Sequence, residues 1–504
     1  MLFWKKNKFK LKNYPVKACS RNLCKSLTEN IDIFKEIFED DDTLLIRFFE
    51  NGMNEWVKCA ILFVDGMVNA EIINENIIQP IVQNARLKSG HNSMDQLQHQ
   101  VILSNDIVKT SNIGDMIKAI VTGNTVLLLD GCPEALIMGS KGWQSRAIDE
   151  PESEKVIRGP REGFTEPLLI NLSLIRRKME TTDLKFKFMT VGNETKTKVC
   201  LCYLKSIANH KILGEITKRL ESINIDGIMA SGYIAELIKD SALSPLKTIG
   251  STERPDVVAA KLLEGRIAII VDGTPVALTA PHIFVEYFQA NEDYYINFYF
   301  SSISRILRII GFMLTVSVPA LYVALMTFHQ EMIPSPLLIS ISAARQGVPF
   351  PSIVETLILL FVFEILREAG TRMPTNIGQA LSIVGALVLG EASVEAKIVS
   401  APIVIIVAIS GITGLIVPRM QGISLILRVI FLFLAAFLGL YGFIFGVTGF
   451  LLYLCKVRSF GVPYLLYITS LDPEDLMDTV IRAPLWYMKS RPRLIAADNK
   501  KRRE

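Results

Sequence analysis

Residues 309–328 read IIGFMLTVSVPALYVALMTF, a run without a charged residue that follows Arg305 and Arg308. It supplies the roughly 20 residues an α-helix needs to cross a bilayer. The two arginines put its N-terminus on the cytoplasmic side by the positive-inside rule. Working outward along the 504 residues, charge is dense up to about Arg308, sparse to about Leu454 and dense again afterwards. That distribution predicts an α/β (α+β) soluble N-terminal domain followed by a polytopic α-helical transmembrane domain. The expected divisions are a basic cytoplasmic tail over 1–26, soluble subdomains over 27–150 and 151–300, the transmembrane domain over 301–458, and a basic cytoplasmic segment over 459–504. The first residues show no continuous apolar stretch with a cleavage site, so the large N-terminal domain is expected in the cytoplasm.

The net charge of +4 is too small to imply nucleic acid. The basic clusters Lys5, Lys6, Lys8, Lys10, Lys12, Lys17 and Lys500, Lys501, Arg502, Arg503 either touch anionic membrane lipid or are solvated tails. Seven scattered cysteines, none in a C-x-x-C pair, fit reduced thiols better than a disulfide framework or a zinc site.

In the soluble region an apolar strand ending in Asp-Gly recurs. The copies are Ile61 to Val64 with Asp65-Gly66, Val126 to Leu129 with Asp130-Gly131, and Ile267 to Val271 with Asp272-Gly273. Asp-Gly between apolar runs is a hairpin signal, because such turns favour positive φ. An aspartate after a strand also suits metal or ribose, but no glycine-rich phosphate loop or acidic cluster lies beside these. Helical patterns fall at about 69–84, 112–120, 168–180, 204–223, 231–239 and 256–263. The acidic run Asp40, Asp41, Asp42 reads as a solvated loop or helix edge. The exposed, charged stretch Gly159-Pro160-Arg161-Glu162-Gly163 reads as a hinge or a partner contact.

In the apolar region, prolines 334, 336, 349 and 351 flank Leu337 to Gln346, which is too short to span and suits an interfacial or re-entrant segment. Ser352 to Leu366 carries Glu355 and Glu364, whose burial demands pairing or water. Glu364 lies one turn before Arg367, with Glu368 alongside: an ion pair near the interface or a role near a pore mouth. From Thr375 to Ser393, one helical face carries Thr375, Gln379, Ser382, Ala386, Gly390 and Ser393, and the opposite face is large and apolar. Such a stripe permits close helix packing or lines a water-filled path. The segment Leu425 to Leu454 is long for one span and short for two, with Gly439, Gly442, Gly446 and Gly449 inside it. A basic tail on the inner side requires either that this segment bends back or that another does not cross.

Further motifs carry a resemblance. They include the Gly159 to Glu166 stretch, Arg176-Arg177, Glu253-Arg254-Pro255-Asp256, Glu264-Gly265-Arg266, Asp272-Gly273-Thr274-Pro275 and Glu292-Asp293-Tyr294-Tyr295. Phe363-Glu364, Arg367-Glu368-Ala369-Gly370 and Ile377-Gly378-Gln379-Ala380 follow in the apolar region. In this order the chain resembles the A subunits of GerA-type spore germinant receptors, from about Leu27 to about Arg491. The resemblance implies a multi-pass protein of the bacterial spore inner membrane that triggers germination with a transporter-like B subunit and a lipoprotein C subunit. It also implies self-association into a germinant-gated ion channel, with Gln379, Ser382, Ala386 and Gly390 lining the path and Ile383 at a constriction. Glu364, Arg367 and Glu368 become coupling candidates, and Gly159, Pro160, Arg161 and Glu162 a loop signature. A non-conducting scaffold and a sporulation paralogue linked to dipicolinate release are the alternatives. No Walker, zincin or nucleophile-elbow motif occurs. The five histidines lack ligand spacing. An enzyme, a metal and a cofactor are therefore not expected.

Overall fold

Two runs of strand and helix, alike in order, build the soluble region. The computed structural model describes residues 22–51, 54–84, 93–104, 106–142, 154–372, 390–466, 478–491 and 494–496. The first run is α1 (Leu27–Ile37), β1 (Leu44–Asn51), β2 (Asn54–Val64), a π-helical turn Ile72–Ile78 running into α2 (Gln79–Gln83), α3 (Ser93–Gln96), β3 (Ile107–Thr110), α4 (Ile113–Val121), β4 (Thr125–Leu129) and β5 (Ala135–Met138). The second is α5 (Leu168–Lys178), β6 (Leu184–Val191), β7 (Thr197–Leu204), α6 (His210–Glu221), α7 (Ser231–Ile238), β8 (Gly250–Thr252), α8 (Pro255–Leu263), β9 (Ile267–Val271) and β10 (Ala277–Ala280). Their five-stranded sheets have the orders β1-β2-β4-β5-β3 and β6-β7-β9-β10-β8, the same topology twice. Neighbouring strands are antiparallel throughout both sheets, which makes each unit α+β. Helices cover both faces, so the central strands β4 and β9 are buried at every position. This is why they read as continuous apolar runs. On the second sheet, Ile212, Ile216 and Ile234 pack on one face, and Ile175, Val258 and Leu262 on the other.

The expected helices are all present, with ends shifted by a few residues. The one expected from Leu204 starts at His210, because Asn209 caps it by accepting from the Lys211 amide.

The Asp-Gly reading needs correction. Asp65-Gly66 is not a hairpin turn: β2 ends at Val64 and the chain goes on into helix, with Val68 making only an isolated bridge to Lys141. The other two copies do lie between paired strands, but the positive φ falls on the glycine, 81° at Gly131 and 79° at Gly273. The aspartates instead cap helices. Asp130 Oδ1 accepts from the Leu27 amide at 3.1 Å, and Asp272 Oδ1 from the Leu168 amide at 3.0 Å, at the first residues of α1 and α5. A carboxylate there satisfies an orphan N–H and complements the helix dipole. The match extends outward. Asn30 clasps Cys24, and Asn171 clasps Thr165, through both the backbone N–H and C=O.

The acidic run also differs from expectation. Asp41 is buried and pairs with the equally buried Arg176 of α5 at 2.6 Å, each side chain 0% exposed. Asp42 accepts from the Phe188 amide, while Asp40 and Glu39 pair with Lys205. The run thus joins the two units, because acceptors at the end of α1 meet donors on α5, β6 and the turn after β7.

Beyond the sheets lie α9 (Phe298–Phe328), α10 (Ser335–Ala344), α11 (Ser352–Arg372), a helical end α12 at 390–395, α13 (Ala401–Leu415) and α14 (Gln421–Lys456). The segments Phe298–Phe328 and Pro418–Lys456 are long and apolar enough to cross a membrane. The second is folded in two. Gly439 has φ 63° and ψ −143°, and the Phe431 and Phe443 rings lie 5.7 Å apart. Twelve residues of straight helix would separate them by about 18 Å. Each arm, 421–438 and 440–456, is about 26 Å long at 1.5 Å per residue, close to the thickness of a bilayer core. The reversal packs on Phe328 and His329 at the C-terminal end of α9. Both ends of α14 return to the soluble region, where Tyr453 Oη meets Ser244 Oγ at 2.8 Å. α13 runs antiparallel to α9: Ile403 packs with Val323, Ser410 bonds to the Thr315 carbonyl and Gly414 lies on Thr315.

The chain after α14 is more than a tail. Phe460, Val462, Leu466 and Ile495 lie in the core of the second unit, and Ala496 bridges Ala208.

Two outcomes follow from this packing. Asp41→Ala leaves Arg176 as a buried unpaired cation and should cost about 3–5 kcal/mol in denaturant unfolding, whereas replacing both residues by apolar ones should recover most of it. Gly439→Ala forces a residue into conformational space reserved for glycine, at about 1–3 kcal/mol, and pushes a methyl into His329. Its expected result is loss of the disulfide that the pair Leu434→Cys and Gly446→Cys forms across the hairpin in the parent.

Candidate functional site

The soluble and helical regions meet at the base of α9 around one carboxylate. Asp293 precedes the helix in the turn Asn291–Tyr294, and its carboxylate caps that turn by accepting from the Ala290 amide. Asn297 then caps α9 by accepting from the Tyr299 amide, which fixes the phase of the first turns. Residues 305 and 308, three apart and so on one face, both turn back to Asp293. Arg305 Nε lies 2.9 Å from Asp293 Oδ2, and Arg308 holds both oxygens at 2.9 Å. Arg305 and Asp293 are each 0% exposed. Arg305 reaches on to Asp478 at 2.8 Å, and Tyr294 Oη donates to the same carboxylate at 2.7 Å. The arginines expected as positive-inside flanks are therefore tied up in buried ion pairs. Burial pushes the Asp478 carboxyl up despite the pull of Arg305, and pushes the Tyr294 hydroxyl well up.

Beside this network a cavity of about 410 Å³ opens between α8, the 284–295 connection and the helical bundle. Its walls include Asp256, Lys261, Glu264, Tyr295 and two arginines from far along the chain, Arg419 and Arg491. Arg419, in the link between α13 and α14, forms an ion pair with Glu154 of the soluble region. Deeper in, Glu286 gathers Arg266 at 2.6 Å, Lys261 at 2.7 Å and His282 Nδ1 at 3.3 Å. Burial opposes ionisation of Glu286, but Arg266 and Lys261 outweigh it and hold the carboxyl well below the usual range. Burial holds the His282 imidazole below its ordinary value, against the pull of Glu286.

The loop signature is drawn into the same region. The Gly159 backbone, at φ 136°, abuts the Tyr295 ring, where a Cβ would come within 2.8 Å. The Pro160 carbonyl accepts from Arg254 at 2.6 Å, and Arg254 pairs with Asp256, which accepts from Tyr295 at 2.5 Å. Glu162 pairs with Lys178 at 2.8 Å and Arg177 at 3.5 Å, while Arg161 is exposed. Within the bundle, Glu364 pairs with Arg367 at 2.5 Å and with Arg428 of α14 at 3.3 Å, so it ties α11 to α14. Glu368 turns away to Arg372 on the exposed side. Glu355, 0% exposed, pairs with Arg345 and accepts from the Ser400 amide at the outer end. Gly390 is half-buried beside Val404. Gln379, Ser382, Ile383 and Ala386 lie outside the described residues.

Comparison with known proteins places this assembly. A family model described as Bacillus/Clostridium GerA spore germination protein matches residues 32–494. The chain belongs to the GerA family. Spore germination protein KA of Bacillus subtilis (strain 168) is 41% identical over 479 residues, covering 95% of this chain and 88% of that protein. The uncharacterized membrane protein YfkQ of the same organism is 41% identical over 475 residues, covering 94% and 92%. Spore germination protein GerLA of Bacillus cereus is 36% identical over 440 residues, covering 87% and 89%. Among solved structures, the N-terminal domain of the A subunit of the Bacillus megaterium spore germinant receptor GerK3 is 34% identical, covers 52% of this chain and 98% of its own, and aligns with a TM-score of 0.43.

Asp478, Arg428 and Asp41 were not legible as site residues in this GerA-family sequence. A signal existed for one of them: Arg428 stands alone in a long apolar run, and such a charge needs a partner.

His282 makes the junction pH-sensitive. Its ordinary value is 6.5, and the folded value lies lower. Below about 6.5 the unfolded chain takes up a proton that the folded chain refuses, so stability falls on acidification and returns as pH rises through that window. Thermal unfolding of the full chain in detergent should show this slope, and His282→Gln should flatten it; an unchanged slope would place its origin elsewhere.

Proposed function

We propose that the chain is the A subunit of a nutrient germinant receptor in the bacterial spore inner membrane, a multi-pass protein that triggers germination as an oligomeric germinant-gated ion channel. Family membership over 32–494 supports the germination role. The observation that carries the signalling part is the buried Asp293–Arg305–Asp478 network, which ties the soluble region to the first turns of α9. A rigid link of that kind converts a shift of the soluble units into a tilt of the apolar helix. Helices α9, α11, α13 and the two arms of α14 serve as crossings, together with the segment that ends in α12. Both ends of the chain then lie on the cytoplasmic side, with the large N-terminal region.

In this reading a transporter-like B subunit and a lipoprotein C subunit are the partners, and germinant bound in the B subunit favours the open state through its differential affinity for the two states. Several copies place the face with Gln379, Ser382, Ala386 and Gly390 around one axis, with Ile383 as the constriction and Glu364, Arg367 and Glu368 as coupling residues. The loop with Gly159, Pro160, Arg161 and Glu162 couples the two soluble units to the connection beneath α9. A non-conducting scaffold is the second reading, in which the small face packs against a helix and excludes water. In the third, the chain is the sporulation paralogue linked to dipicolinate release.

The test is potassium release from spores carrying Ile383→Ala or Ser382→Cys, with spores lacking a functional partner subunit as control. Release without germinant, or block by a thiol reagent on the new cysteine, is the expected result. Normal release insensitive to the reagent, at normal protein levels, would reject this lining and leave the scaffold. A defect in dipicolinate loading, with germinant response intact, would favour the paralogue.

A further inference from the structure

We propose that Arg428 and Arg367 hold a single small anion of halide size inside the helical bundle. The argument begins with charge. Where α11 meets α14, two guanidiniums share one carboxylate: Glu364 lies 2.5 Å from Arg367 and 3.3 Å from Arg428. The cluster keeps one positive charge. Other carboxylates on the packed helices are spoken for, Glu355 by Arg345 and Glu368 by Arg372. The sequences of α9, α13 and α14 contain no Asp or Glu, and residues 373–389 contain no ionisable side chain. Among the described residues, Glu364 is therefore the carboxylate of α9, α11, α13 and α14 that pairs with these two arginines.

Burial makes the imbalance expensive. The Arg428 side chain is only 3% exposed and sits seven residues into α14, about 10 Å along the helix. Among the described residues its Nε and Nη1 have no hydrogen-bond partner. A charged donor left without a partner away from water is strongly unfavourable, which an anion offsets in both charge and hydrogen bonding.

Space is present at the same point. A cavity of about 10 Å³ is lined by Arg428, Arg367, Thr315, Gln421, Ser424 and Gly411. Roughly 10–15 Å³ by this measure accommodates one water-sized guest. A monoatomic anion is close to that size, whereas a carboxylate or phosphate exceeds it. A water molecule satisfies the N–H groups but leaves the charge. The inference rests on charge and volume within the bundle and holds whether or not the protein conducts ions.

Thermal unfolding of the full-length protein in detergent, in sodium bromide and in sodium gluconate at equal ionic strength, tests it. Because a ligand that binds the folded state raises stability in proportion to its occupancy, bromide should raise the midpoint of the parent in a saturable way. Arg428→Gln leaves a neutral Glu364–Arg367 pair and should lose the shift. Glu364→Gln leaves two guanidiniums without a carboxylate and should enlarge it, a sign that a merely structural role for the cluster does not predict. No bromide shift in the parent, or an equal shift in all three proteins (an adventitious ion only), overturns the proposal. Should Arg428→Gln fail to fold, bromide anomalous scattering from crystals of the parent decides: a peak beside the Arg428 guanidinium supports the site, and its absence rejects it.

Discussion

Asp293 accepts from two arginines of α9 while wholly withdrawn from water, and the arrangement of the rest of the molecule depends on that contact. A buried ion pair adds little net stability, because desolvation cancels most of the attraction. Its effect here is geometric. Arg305 and Arg308 can both reach one carboxylate at only one rotation of α9, so the helix leaves the soluble region in a set direction. Asp478 then occupies the far side of Arg305, which brings the segment after α14 to the same point. The second soluble unit, the first apolar helix and the C-terminal segment are thereby held as one structural joint.

The joint sits beneath a duplicated fold. In each unit an aspartate in the loop between two sequential inner strands caps the helix that begins the unit, and an asparagine inside that helix clasps the residue three positions before its start. The units differ in what they meet. The first is linked to the second by Asp41 and Arg176, and the second receives Ile495 and Ala496 from the end of the chain. Gly265 admits that return: its φ of 91° and its closeness to the Ala496 backbone leave no room for a side chain. The second unit therefore draws part of its core from residues that follow the helical bundle in the chain.

Much of this was legible in the sequence where the signal is local. The apolar run at 309–328 announces α9, and the six helical patterns read in the soluble units all correspond to helices, whereas α1 and α3 were not among them. Continuous apolar runs announced the strands β2, β4 and β9, and the structure buries β4 and β9 at every position. The Asp-Gly pairs were read as turns because the dipeptide usually makes one; here glycine alone takes the positive φ, and the aspartate serves a helix more than a hundred residues earlier. The acidic run at 40–42 looked solvated because nothing adjacent in sequence pairs with it, yet Arg176 does so across the unit boundary. The pair Glu364 and Arg367 was visible from helical spacing, but the third member, Arg428, was not.

By itself, the sequence determined the order of a charged soluble region before an apolar helical one, the positions of most helices and of the strands beside the Asp-Gly pairs, and the GerA-family motifs. Those properties depend on residues near one another along the chain, through side-chain periodicity and capping. Only the tertiary structure decided which distant charges meet, where the long last helix turns back, and that Phe460, Val462, Leu466, Ile495 and Ala496 belong to the core of the second unit. Four glycines stood in that helix, each able to adopt a positive φ. Gly439 alone among them takes it, and it packs against Phe328 and His329.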